Sequence, residues 1–234
     1  MILVFALFGL AIGWLMNQVS DYFPRAATHK PAALPQAVSW APPALWQVIR
    51  QQTDQPWIGL HAATEAASMI FMVYLWLWLG ASWLLVPYTI AYLFFALVTV
   101  IDIKYRLVLN VLVYPAGLLV LLVRVLFEQN QVLTVVLGGA FAFLIFYGTA
   151  RIRPNGLGGG DVKLAVLIGF LFGFPGILFA LLLGAAATAV FIVAALVTRR
   201  GSLQTQIPYA PFLCFGALAA LLLHPIWIGN GVLF

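Results

Sequence analysis

Apolar residues fall into eight runs along the chain, approximately 1–19, 63–80, 82–101, 108–127, 131–150, 162–173, 175–198 and 208–229, separated by short polar breaks. Most approach the roughly 20 residues that an α-helix needs to cross a hydrocarbon core about 30 Å thick. This pattern predicts an all-α fold: a polytopic transmembrane bundle of about eight helices, one membrane domain over residues 1–234. One long polar stretch, about Ser20 to His61, carries Pro24, Pro31, Pro35, Pro42, Pro43 and Pro56 and is expected to be the single substantial extramembrane loop. No internal repeat of 20–50 residues is present. The first run lacks a basic flank and an A-x-A site, so it is expected to be a retained span.

Composition turns this pattern into a statement about solvent. Hydrophobic residues make up 65% of the chain, charged residues 7%, and mean hydropathy is +1.09. Soluble domains carry about 25% charged residues, so most of this surface must face lipid. The formal charge of +5 does not point to nucleic acid, because the bases stand singly or in pairs at the ends of apolar runs. Counted on alternate sides, Arg25, Lys30, Arg50, Lys104, Arg106, Arg151, Arg153, Lys163, Arg199 and Arg200 face Arg124 alone, ten against one. The positive-inside rule then places the long loop and the 102–107, 151–161 and 199–207 connections in the cytoplasm of an inner (plasma) membrane protein, with both termini outside. Cys214 is the sole cysteine. It excludes a disulfide framework and a multi-cysteine zinc site, and is expected to be a small core residue.

One segment departs from the pattern. Residues 162–172 supply only 11 residues before Gly173-Phe-Pro175-Gly176, about 16 Å of helix. Either this helix begins below the membrane surface, or it runs through Gly173 and kinks at Pro175. The first alternative puts the preceding glycine run at membrane depth, where irregular backbone needs protein or a wet cavity around it.

The chain has six carboxylates. Asp21 and Asp54 fall in the polar loop, Glu65 at the start of a span where an acid suits a helix N-terminus, and Glu128 in an outer turn. Asp102 and Asp161 differ, because each abuts an apolar run and both fall at the same predicted face. Ionisable groups at such depth are costly and usually functional. Two carboxylates sharing a site divide into a base and an acid, the pair of functions that peptide hydrolysis requires. The plainer alternative is that they are helix-end acids paired with Lys104, Arg106 or Lys163. Around Asp161, Asn155-Gly-Leu-Gly-Gly-Gly160-Asp161-Val-Lys163 sets four glycines in five positions, poor helix material that lets another backbone come close. Phosphate binding is disfavoured by Asp161 and by the missing Lys-Ser/Thr of a P-loop.

These stretches resemble a known family. Gly158-Gly159-Gly160-Asp161 fits the G-x-G-D motif of intramembrane aspartyl proteases, and Asp102-Ile-Lys-Tyr-Arg-Leu-Val-Leu-Asn110 resembles the first aspartate motif of the prepilin (type IV leader) peptidases, with Leu109 where proline is usual. Ile207-Pro-Tyr-Ala-Pro-Phe-Leu213 and Gly9-Leu-Ala-Ile-Gly13-Trp-Leu-Met-Asn17 are similar to that family's last and first spans. The resemblance implies an aspartic endopeptidase that removes basic leaders from prepilin-like precursors just before their hydrophobic helix, at the cytoplasmic membrane boundary. It implies Asp102 and Asp161 as the catalytic pair, Gly158 and Gly160 shaping the loop, and Lys163, Asn110, Pro208 and Pro211 in support. No metal or other cofactor is expected.

Many bacterial members also N-methylate the new terminus through a module with paired C-x-x-C motifs. The 20–61 loop lies in that place without a cysteine, so methyltransferase activity is not expected. His29 and His61 are expected to be solvated, His224 interfacial beside Trp227. A transporter or channel using Asp102 and Asp161 as a proton or cation relay is the main alternative. It requires polar mid-span residues and paired broken helices that this sequence lacks. A presenilin-type protease would carry Tyr before the first aspartate, where Ile101 stands, and an inactive adaptor would not need the acids.

Overall fold

The computed structural model describes residues 1–27, 43–49, 57–127, 131–152, 158–198 and 209–223. Among them stand nine helices: α1 (Ile2–Ala27), α2 (Ala44–Ile49), α3 (Ile58–Leu79), α4 (Leu85–Tyr105), α5 (Asn110–Phe127), α6 (Val132–Ile152), α7 (Gly159–Phe172), α8 (Gly176–Val197) and α9 (Ala210–Leu223). Six are long and apolar enough to cross a membrane: Ile2–Tyr22, Ile58–Leu79, Leu85–Tyr105, Asn110–Phe127, Val132–Ile152 and Gly176–Val197. The chain is a polytopic helical membrane protein, and α9 is a shorter apolar helix. His29, Lys30, Arg50, Asp54, Glu128, Arg153, Asn155, Arg199, Arg200, Pro208, His224 and Trp227 lie outside the described residues.

The helices form two compact units, Met1–Tyr105 and Arg106–Phe234. In the first, α1 lies against α3 through Gly9 and Gly13. A methyl group on Gly9 would stand 2.6 Å from the Ser68 carbonyl oxygen, and one on Gly13 2.6 Å from Glu65 Cα. Small residues four apart let two backbones meet where lipid offers no hydrophobic drive to association. Phe5 stacks on Trp76 farther along the same pair.

Two expectations are corrected here. Helix α1 continues past Ser20 to Ala27, so Asp21 belongs to a helix and not to the loop. Helix α3 begins at Ile58, which places Glu65 two turns inside it, fully buried. Glu65 Oε1 accepts the Ala44 N–H at 2.7 Å and Oε2 the Leu45 N–H at 2.8 Å. The carboxylate thus satisfies two of the donors that the start of α2 leaves open, and ties this piece of the proline-rich stretch to α3.

In the second unit α7 is the central helix, packed against α5, α6, α8 and α9. Its buried residues include Val162, Leu164, Ala165, Leu167, Ile168 and Phe172. Helices α6 and α7 approach until a methyl group on Gly138 would lie 2.4 Å from the Gly169 carbonyl oxygen. Helices α8 and α9 meet similarly, since a methyl group on Gly216 would lie 2.4 Å from the Ala180 carbonyl oxygen. Cys214 is buried in α9. Helix α7 neither starts at Val162 nor passes through Gly173. It starts at Gly159, stops at Phe172 and turns at Gly173, whose φ of +63° suits a residue without Cβ. The Phe174 N–H donates to the Thr134 carbonyl at 2.8 Å, and α8 follows. With 14 residues, α7 is about 21 Å long, and protein on its sides supports that shortness.

Candidate active site

Asp102 stands in the last turn of α4, three residues before its end, and is 6% exposed. Val98, Val100 and Ile101 around it are buried, as is Lys104. Residues two apart on a helix do not face each other, and the Lys104 ammonium reaches α1: its Nζ donates to Ser20 Oγ at 2.7 Å and to Asp21 Oδ1 at 2.8 Å. Tyr105 Oη donates to the same Asp21 oxygen at 3.3 Å. Helix α4 ends where Arg106 takes a left-handed conformation, φ +54°, a usual helix terminator.

Asp161 stands in the first turn of α7 and is 9% exposed. Its Oδ2 accepts the Gly158 N–H at 3.2 Å, while its own N–H donates to the Gly158 carbonyl at 3.1 Å. This reciprocal pair fixes the carboxylate over an extended Gly158 (φ −74°, ψ 146°), in the manner of a capping box. The glycines before it have different reasons. A methyl group on Gly160 would collide with Val108 Cβ at 2.6 Å, so Gly160 lets the 106–109 segment pass close beneath the helix start. Gly159 has nothing within 4 Å of such a group. Expecting the glycine run to stay outside the helix underestimated packing: Gly159 and Gly160 are helical because neighbours hold the first turn.

Among the supporting residues, Asn110 and Lys163 come together. Lys163 Nζ donates to Asn110 Oδ1 at 2.8 Å and lies 5.0 Å from the centre of the Tyr114 ring, joining the first turns of α5 and α7. Leu109 is buried, and its carbonyl accepts the N–H groups of Leu112 and Val113 that start α5. Pro211 occupies the first turn of α9, where a missing N–H costs nothing.

The polar group at the end of α1 was not anticipated. Asn17 Nδ2 donates to the His61 carbonyl at 3.1 Å and to Glu65 Oε1 at 3.4 Å, and Thr64 Oγ1 donates to Asn17 Oδ1 at 2.7 Å. His61 is no solvated loop residue: it lies in α3, its Nε2 3.8 Å from Asp21 Oδ2. The available signal was a lone Glu65 among alanines and Ser68, which with the helix begun at Ile58 falls at a depth where an acid must be partnered.

A model described as the type IV leader peptidase family matches residues 89–193, a stretch from α4 to α8 that contains Asp102 and Asp161. The chain is 30% identical over 144 residues to a prepilin leader peptidase/N-methyltransferase of Bacillus subtilis (strain 168), covering 61% of this chain and 58% of that protein. It is 37% identical over 106 residues to a prepilin leader peptidase/N-methyltransferase of Vibrio cholerae serotype O1, covering 41% of this chain and 40% of that one. The chain therefore spans less than two thirds of the length of either relative. No solved structure matches it.

Proposed function

We propose that this chain, whose residues 89–193 match the type IV leader peptidase family model, is an intramembrane aspartyl endopeptidase that removes basic leader peptides from prepilin-like precursors. The observation that carries this reading is a shared setting. The segment matched by the family model holds two buried carboxylates, each at an end of an apolar helix, Asp102 closing α4 and Asp161 opening α7. The precursor, with its basic leader and hydrophobic helix, approaches from the bilayer at its cytoplasmic boundary.

In this reading one carboxylate is ionised and the other protonated, and the ionised one takes a proton from water as the water oxygen attacks the scissile carbonyl carbon. The protonated carboxyl gives its proton to the carbonyl oxygen. Collapse of the tetrahedral intermediate breaks the C–N bond, and the leaving amine takes a proton from the acid that first received one. The Gly158–Asp161 pairing holds one carboxylate at a fixed angle, and Lys163 with Asn110 steadies the helix start beneath it. Pro211 opens α9. Methyl transfer is no part of this activity, since the sequence has one cysteine and no paired C-x-x-C.

The test is proteolysis in detergent or liposomes of a synthetic substrate with a basic leader, a Gly-Phe junction and a hydrophobic helix, followed by mass spectrometry. The unsubstituted protein is expected to cut at the junction, while Asp102→Asn and Asp161→Asn each lose at least about 10³-fold in rate. Equal cleavage by either variant would remove that residue from the pair.

A further inference from the structure

We infer that Asp21 is a positioning residue for the peptidase reaction, acting through Lys104 to hold the turn that carries Asp102. This rests on the peptidase reading and adds to it a residue that belongs to none of its motifs.

The argument begins with where the Lys104 charge goes. A lysine near the end of a membrane helix ordinarily extends its head to the interface and water, which is also what the orienting role of the basic residues requires. Lys104 does the opposite. Its side chain is 0% exposed, and the ammonium is gripped by Ser20 Oγ at 2.7 Å and Asp21 Oδ1 at 2.8 Å. Burying an ammonium is costly, and a salt bridge seldom repays the cost in stability alone. A buried ammonium held by a carboxylate that is itself 34% exposed needs another account, and its location supplies one.

Lys104 follows Asp102 by two positions, and both belong to the last turn of α4. The last turn of a helix lacks backbone partners for its carbonyls and tends to fray. Catalytic groups must stay within about 0.5 Å of their working position, and a misplacement of about 1 Å costs on the order of 10²-fold in rate. The Asp21 carboxylate meets that need from a separate helix. One oxygen takes Lys104 Nζ and the Tyr105 hydroxyl, and the other lies 3.8 Å from His61 Nε2. A single side chain thus joins α1, α3 and the end of α4. Ser20 completes the grip by accepting from Lys104 while donating to the Asn17 carbonyl at 2.8 Å.

The experiment measures kcat and KM for the synthetic precursor in detergent with the full chain, rates being normalised to the folded protein recovered by size-exclusion chromatography. Asp21→Asn is expected to lower kcat by about 10–10²-fold with KM unchanged, because substrate binding does not use this group. Lys104→Gln should cost a similar factor, and the double variant no more than the worse single one, since the two act as a unit. Asp21→Glu, which keeps the charge, should recover most of the loss. Where Asp21→Asn yields no folded protein, Ser20→Ala decides: it removes one of the two acceptors and is expected to lower kcat several-fold at constant KM. Unchanged kcat in Asp21→Asn or Ser20→Ala, a loss confined to KM, or multiplying losses in the double variant would overturn the positioning role while the peptidase stands. Absence of cleavage by the unsubstituted protein would overturn the peptidase reading itself, and this role with it.

Discussion

Gly160 and Gly159 are neighbours in one motif, and the structure gives them opposite sensitivities. Val108 Cβ occupies the place where a Gly160 side chain would go, at 2.6 Å, whereas nothing lies within 4 Å of the same point on Gly159. Gly160→Ala is therefore expected to destabilise the protein by about 1–3 kcal/mol through overpacking, and Val108→Gly in the same chain, which removes the clashing Cβ, to relieve part of it. Gly159→Ala should be neutral or stabilise by up to about 1 kcal/mol, because alanine suits a helical position better than glycine. Thermal melting in detergent checks both. The two carboxylates were legible in the sequence, because an acid beside a long apolar run is conspicuous. The separate reasons for the two glycines were not, since Val108 is brought to Gly160 by the turn between α4 and α5.

At the scale of elements, a single carboxylate decides where part of the proline-rich stretch goes. Glu65 accepts two backbone N–H groups from the start of α2, at 2.7 and 2.8 Å. Bonds to a charged acceptor contribute about 1.5–3 kcal/mol each, and buried donors left without a partner cost a comparable amount. Glu65→Ala is expected to release α2 from α3 and to raise amide hydrogen exchange across residues 44–49, with little change in the second unit. Protection of 44–49 equal to that of the unsubstituted protein would show that other contacts hold α2. Apolar length located the helices well, but it misplaced their polar ends. Helix α1 runs on through Ser20 and Asp21, and α3 starts at Ile58, because polar residues at these ends satisfy one another within the unit instead of facing water.

For the whole molecule, the ten-to-one distribution of bases makes a prediction about sidedness. In a Cys214→Ser background, Gln129→Cys should react with a membrane-impermeant maleimide added outside intact cells, and Asp54→Cys only after permeabilisation. The reverse labelling would invert the proposed orientation and put Asp102 and Asp161 on the outer face. Lys104 carries a caution about such counts. Its charge is buried against Asp21, so it contributes to topology through its place in the chain and not through contact with lipid headgroups.

The sequence by itself determined the solvent, the helical class, the approximate spans and the presence of two acids beside apolar runs. These follow from residue composition over windows of about 20 residues and from the rarity of charge in them. Only the tertiary structure decided how the glycine run starts a helix, why α7 stops at Gly173, and which buried acids serve which partners. Those outcomes depend on pairs far apart in the chain: Asp21 with Lys104, Glu65 with Ala44, Gly160 with Val108, Gly138 with Gly169. Window composition carries no information about such pairs. The energy of a buried charge or a close backbone approach is set by the atom that arrives opposite it, and only the folded chain determines which atom that is.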